Sequence, residues 1–281
     1  MTMKGKTALI TGSTDGVGRY VAERLAADGA RVIIHGRDRA RGEAVVERIA
    51  RDGGDARLVV ADMSSLAEVR SLAKALQRDS DGLDALINNA GIGTSGAGRE
   101  LSADGFELRF AVNYLAGFLL TRLLLPALES RTSSRVVNVA SAGQQPIDFA
   151  DVMLTRGYSG ARAYRQSKLA QIMFTIDLAH ELAGRNVTVN CLHPATFMDT
   201  TMVRLSGVQP ISTVEEGGAA ILQLAASSSL EGRSGLYFNG LRESRADPQA
   251  YDPDARAKLR ALSFELAGLA DRPPYASVTD S

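Results

Sequence analysis

The sequence predicts an α/β fold: one Rossmann-type, doubly wound parallel sheet of about seven strands, with helices on both faces. Three observations carry this. Short, continuously apolar runs recur along the chain, amphipathic stretches separate them, and a glycine-rich turn joins the first run to the first amphipathic stretch. Strands that are apolar without alternation are buried on both faces, as parallel strands are. Right-handed crossovers then place helices on each side.

The first strand is expected at residues 7–11, running directly into Gly12. Residues 31–35, 57–61, 85–88, 135–140, 188–192 and 235–238 supply the other strands, each bounded by turn-forming or charged residues. Helical periodicity marks residues 17–28, 39–51, 66–79, 106–128 and 163–182. Two stretches, 143–160 and 194–213, lack a clear period and follow strand ends. Ligands of open α/β sheets bind beyond the carboxyl ends of strands, so both are candidate substrate-binding loops, with ordinary surface loops as the alternative. Residues 240–281 form a C-terminal extension. No repeat or linker divides the chain, and 1–281 reads as one domain.

Composition limits the function. Apolar residues make up 45% and charged residues 23%, the balance of a folded core. The 32 basic residues match 32 acidic ones, so no net field draws the chain to nucleic acid or an anionic membrane. Arginines outnumber lysines 27 to five, which lowers the weight of any single arginine. Cys191 is the only cysteine, excluding an intrachain disulfide and fitting a reducing, cytoplasmic setting. His35, His180 and His193 lack metal-site spacing, so no metal is expected. Residues 1–5 show no apolar targeting segment. The most apolar stretch, 111–128, contains Asn113, Arg122 and Pro126 and reads as a buried helix rather than a membrane span.

The first strand ends in Gly12-Ser13-Thr14-Asp15-Gly16-Val17-Gly18. Gly12 permits a sharp turn, Gly16 lets backbone approach a pyrophosphate, and Gly18 lets the helix sit close to the sheet. The helix N-terminus then offers N–H groups to phosphates. The second strand ends at Gly36-Arg37, where an NAD enzyme carries an acid for the ribose hydroxyl. An arginine there suits a 2′-phosphate and favours NADP(H) over NAD(H), although Asp15 and Asp38 stand nearby. Asp62 and Met63 are placed to meet adenine, or Asp62 simply caps the next helix. Asn89, Ala90 and Gly91 put small and amide residues along the cofactor path.

Tyr164 and Lys168 are four apart on one helix face. A nearby ammonium is expected to lower the phenol pKa and make Tyr164 a proton donor in reduction. Ser141, beyond the fifth strand, offers a hydroxyl to a substrate oxygen. Asn113 is an amide in an otherwise apolar helix and needs partners.

These pieces, in this order, resemble the short-chain dehydrogenase/reductase family over nearly the whole chain. The resemblance implies a catalytic tetrad of Asn113, Ser141, Tyr164 and Lys168. It also implies that Lys168 binds the nicotinamide ribose and that Asn113 holds a water extending a proton relay. The segments 110–121 and 164–174, and the 23 positions from Ser141 to Tyr164, resemble the retinol-dehydrogenase-like branch. So does the tail at 251–269.

Two departures stand out. Pro194-Ala195 replaces the family's usual Pro-Gly. The threonine expected to contact the carboxamide is Thr196, Thr200 or Thr201. The expected activity is NADP(H)-dependent reduction of a ketone or aldehyde. The alternatives are alcohol oxidation with NAD, reduction of an activated C=C bond, or a non-catalytic dinucleotide module. Ile147, Phe149, Val152, Met153, Leu154, Phe197, Met198 and Met202 suggest a bulky lipophilic substrate, unless they only pin their loops. Relatives pair the helices at 106–128 and 163–182 across dimer interfaces, so a homodimer or homotetramer is expected beside a monomer.

Overall fold

The computed structural model describes residues 3–79, 82–95 and 98–271. Strands β1 (Thr7–Ile10), β2 (Arg31–Gly36), β3 (Asp55–Val60), β4 (Ala85–Asn88), β5 (Ser134–Val139), β6 (Val187–His193), β7 (Tyr237–Asn239) and β8 (Arg242–Ser244) form one sheet. Its order is β3-β2-β1-β4-β5-β6-β7-β8. The first seven pair in parallel, and β8 returns antiparallel on β7. The expected count of about seven strands therefore becomes eight. Every residue of β8 is exposed, so it carries no apolar signal to read.

Alternation along the strands sorts side chains into two cores. Leu9, Ile33, Leu86 and Val136 face one core, with α3 (Leu66–Asp79), α5 (Ala116–Glu129), α6 (Gly160–Glu181) and α9 (Pro253–Leu266). Ala8, Ile10, Val32, Ile34, Ile87 and Val137 face the other. That core is covered by α1 (Gly16–Ala27), α2 (Arg39–Arg51) and α8 (Val214–Ala226).

The helix expected at 106–128 is interrupted. It starts as α4 (Leu108–Phe110), passes through a π-helical turn at Ala111–Leu115 and continues as α5. Such turns insert one residue and are common at functional sites. An 18-residue window within Leu108–Glu129 has a mean hydropathy of 1.5, enough for a membrane span, yet 72% of that window is buried inside the fold. It is a core helix here.

The 194–213 stretch is not wholly irregular: α7 (Thr201–Leu205) lies within it, capped by Thr200. The tail forms α9, which covers the α5–α6 face. Ser263 and Tyr114 share a 2.6 Å hydrogen bond, and Phe264 meets Phe118 edge-on at 5.3 Å. Arg260 pairs with Asp177 at 3.2 Å and Glu181 at 2.5 Å. The end of the expected extension, 272–281, lies outside the described residues.

Candidate active site

The glycine turn follows from close approaches. Gly12 has a φ of 65°, and a Cβ there would lie 2.9 Å from the Ala90 backbone. A Cβ at Gly18 would overlap the Gly12 carbonyl and the Asn89 amide. The first bond of α1 runs from Arg19 N–H to Asp15 O, so the amides of Val17 and Gly18 lead the helix N-terminus. This cradle fits a dinucleotide pyrophosphate.

Other expected cofactor residues divide between lining and support. Ser13 is buried, and its hydroxyl donates to Ile10 O and accepts from His35 N–H, so its side chain holds the turn. Asn89 Nδ2 donates to Thr11 O at 2.9 Å and Gly12 O at 3.1 Å, tying β4 to the turn. Thr14 sits on Gly36, where a Cβ would lie 2.5 Å from its methyl. Asp62 accepts from Ser64 N–H at 2.8 Å in the turn before α3, whose capping hydroxyl is that of Ser65, accepting Glu68 N–H. The Met63 side chain packs into the core beside α3. Pro194 is buried at the end of β6, where its chain neighbour His193 accepts Gly240 N–H at 2.8 Å.

Asp15 caps α1 by accepting Gly16 N–H at 2.8 Å. It also accepts from Thr201 Oγ1 at 2.7 Å and pairs with Arg41 at 2.9 Å. Burial pushes its carboxyl up, but Thr201, the Gly16 amide and Arg41 outweigh burial and hold it below the usual range. Arg37 is exposed just past β2. Of the three candidate threonines, Thr196 is exposed and bonds His193 Nε2 at 3.0 Å. Thr200 caps α7, and its methyl would touch a Cβ on Gly16 at 3.2 Å.

The tetrad converges at the C-terminal ends of β4 and β5. Ser141 stands close enough to Tyr164 to favour its ionised form, and the Lys168 ammonium lies 5.8 Å from the Tyr164 ring centroid. Gly91 closes the group: a Cβ there would meet Asn113 Oδ1 at 3.2 Å and Lys168 Nζ at 3.6 Å. Lys168 is buried and donates to Val139 O at 2.8 Å and Gln171 Oε1 at 2.9 Å. Burial draws its pKa down to about 7. The expectation of a lowered Tyr164 pKa is corrected. Burial raises it, and the nearby Ser141 hydroxyl only partly opposes that.

The Asn113 side chain is fully engaged by protein partners. Its carboxamide accepts Ile92 N–H at 2.7 Å and donates to Ile92 O at 3.1 Å and Ser167 Oγ at 3.0 Å. The side chain thus latches the 92 backbone to α6. Sequence reasoning missed Ser167 and Gln171. Both are buried polar residues inside a mostly apolar helix, which was a legible signal.

The comparisons agree with this geometry. Residues 6–209 match the family model for short chain dehydrogenases. The chain belongs to the short-chain dehydrogenase/reductase family. Within it, the chain falls in the retinol-dehydrogenase-like branch. Mouse retinol dehydrogenase 14 is 38% identical over 293 residues, covering 95% of this chain and 87% of the mouse protein. Human retinol dehydrogenase 13 is 34% identical over 290 residues, covering 95% and 86%. Among solved structures, an uncharacterised protein of Mycobacterium paratuberculosis superposes with a TM-score of 0.79 at 30% identity, covering 97% of each chain. The landomycin C-6 ketoreductase LanV, with bound NADP and rabelomycin, has a TM-score of 0.69 at 29% identity, covering 85% and 96%. Members of this family are nicotinamide-dependent oxidoreductases, and the short-chain dehydrogenase fold here carries every member of the tetrad.

Proposed function

We propose that this protein reduces a ketone or aldehyde on a bulky, lipophilic molecule with NADPH. The observation that carries the reading is Ser141, Tyr164 and Lys168 meeting beside the glycine cradle. When bound, the dinucleotide supplies hydride chemistry in that cradle. Ser141 orients the carbonyl oxygen, and Tyr164 donates its proton to the alkoxide that develops there. A phenol raised by burial stays protonated at neutral pH, which suits a donor. Lys168 stabilises the phenolate left behind.

The preference for NADP rests on Arg37 and on Asp15. With Asp15 engaged by Arg41 and Thr201, its charge no longer opposes a 2′-phosphate beside Arg37. The 2′-phosphate of LanV's bound NADP is in keeping with this.

The lipophilic substrate rests on less of the loop than the sequence suggests. Ile147 and Leu154 are buried and pin the insertion, while Phe149, Val152 and Met153 pack against the core. Met198 packs against the other core. Phe197 and Met202 are left exposed beside the site. The retinol-dehydrogenase relatives, by their names, act on a lipophilic alcohol. With α9 covering the α5–α6 face, the same reading takes the protein as a monomer, and the lone, buried Cys191 suits a reducing, cytoplasmic setting. Purified protein should oxidise NADPH with bulky ketones, and Tyr164→Phe should abolish turnover while retaining NADPH binding. Full activity in that variant would refute the mechanism.

A further inference from the structure

One buried polar group stands apart from the tetrad. Arg109 is 2% exposed and Glu107 is 1% exposed, at the start of α4. Arg109 donates to Gly93 O at 2.8 Å and Ser95 O at 2.7 Å, holding the backbone that follows Gly91. It also donates to the Tyr158 hydroxyl at 2.6 Å. That hydroxyl donates onward to Glu107 Oε1 at 3.0 Å, while Glu107 Oε2 accepts Phe110 N–H at 2.7 Å. Burial, with the Glu107 charge, holds the Tyr158 phenol above its usual range, so it remains a donor.

The place of this group in the fold gives it a role. Tyr158 is the last residue of the insertion before Ser159, which caps α6, and α6 carries Tyr164 and Lys168. At the first residue of α6, Gly160, a Cβ would lie 2.8 Å from Thr94 O and 3.3 Å from Arg109 Nη2. The start of α6 therefore rests directly on the 93–95 backbone, with Arg109 filling the seam. Asn113 grips the preceding residue, Ile92, from the same helical run.

We propose that Arg109, Tyr158 and Glu107 form a positioning clamp that sets the gap between the 92–95 segment and the start of α6, and thereby places Tyr164 against the substrate carbonyl. Arg109 and Glu107 are almost fully enclosed and act through the backbone they hold. An arginine whose guanidinium bonds two carbonyls and a phenol has a fixed plane, which makes it a better spacer than a flexible lysine. Burial of the Arg109–Glu107 pair without the Tyr158 hydroxyl would leave the two charges 3.7 Å apart and poorly bonded. Reacting groups misplaced by about an ångström lose rate steeply, so a small change in this gap is read out in kcat.

The consequence for turnover rests on the carbonyl-reductase reading, whereas the clamp itself does not. The test compares Tyr158→Phe, Arg109→Lys, Arg109→Met and Gly160→Ala in the full chain. Steady-state kinetics, NADPH affinity by fluorescence, melting temperature and amide exchange across 90–95 and 158–168 are measured for each. Tyr158→Phe and Gly160→Ala should lower kcat about tenfold or more at a temperature where both stay folded, with NADPH affinity near wild type. Both should also lose melting temperature, one through the under-bonded buried charges and the other through the Thr94 carbonyl. Arg109→Lys should lose less than Arg109→Met. Amides at 92–95 should exchange faster in every variant. Wild-type kcat in both Tyr158→Phe and Gly160→Ala, or unchanged exchange at 92–95, would overturn the clamp. If the wild-type protein reduces no carbonyl, the functional reading fails instead, and the exchange data still decide the clamp.

Discussion

The Gly12 amide donates to Nδ1 of His35 across 3.1 Å, so the nucleotide turn is fastened to a neutral imidazole. A protonated ring would carry a hydrogen on Nδ1 and oppose that amide. Burial draws the His35 pKa from 6.5 down to about 4, against the smaller effects of Ala61 and Asp62. Between those values the unfolded chain binds more protons than the folded one. Stability is thus intact above pH 6.5 and is lost as pH falls to about 4, by roughly 3 kcal/mol. Urea midpoints and NADPH affinity should both fall across this window. In His35→Asn, whose Oδ1 can take the Gly12 amide, the fall should flatten.

A different titration governs turnover. Lys168 loses its proton as pH rises through about 7, and the charged form is the one that steadies the phenolate. The kcat for reduction should therefore decline above that pH. Gln171 Oε1 accepts from the ammonium at 2.9 Å and favours the charged form, so Gln171→Leu should move the decline to lower pH. A pH profile of kcat in both proteins checks the order.

Arg37→Ala should weaken NADP(H) about tenfold to a hundredfold and leave NAD(H) affinity nearly unchanged, as removal of one charge-assisted phosphate bond does. Titration with each dinucleotide measures the ratio. Equal losses for both would remove Arg37 from the 2′-phosphate.

Gly18→Ala brings a methyl into the Gly12 carbonyl and the Asn89 amide. Because one obstacle is backbone, the turn itself must move. The expected cost is about 1–3 kcal/mol in thermal unfolding, with loss of dinucleotide binding.

Phe264 is buried and meets Phe118 edge-on at 5.3 Å, while Arg122 and Arg260 each stand 4.9 Å from its ring. Phe264→Ala should destabilise the protein by about 3–5 kcal/mol. It should also loosen α9 from α5 and α6, and light scattering should then show more association than in the wild type.

The sequence made the parallel architecture legible because buried parallel strands announce themselves by unbroken Val, Ile and Leu. Ser141, Tyr164 and Lys168 were legible because each follows a recognisable element. Strand β8 was not, since its residues face solvent and its place depends only on pairing with β7. The π-turn around Asn113 was also hidden: it leaves apolar periodicity almost untouched over so few residues. The raised Tyr164 pKa needed burial, which no spacing reports. Arg109 was masked by the abundance of arginine, and only its enclosure separates it from the solvated ones.

Two side-chain amides deal with the walls of the cleft in the same manner. Asn113 takes both the N–H and the carbonyl of Ile92, and Gln249 takes both from Ile147, at 2.6 and 3.1 Å. Each imitates a β-ladder rung, and neither reads the side chain of the residue it holds. Residues along these walls are therefore free to drift in identity while the main-chain path stays put. A lineage built this way can vary the side chain at 92 or 147 without moving the main chain beside the proton-transfer machinery.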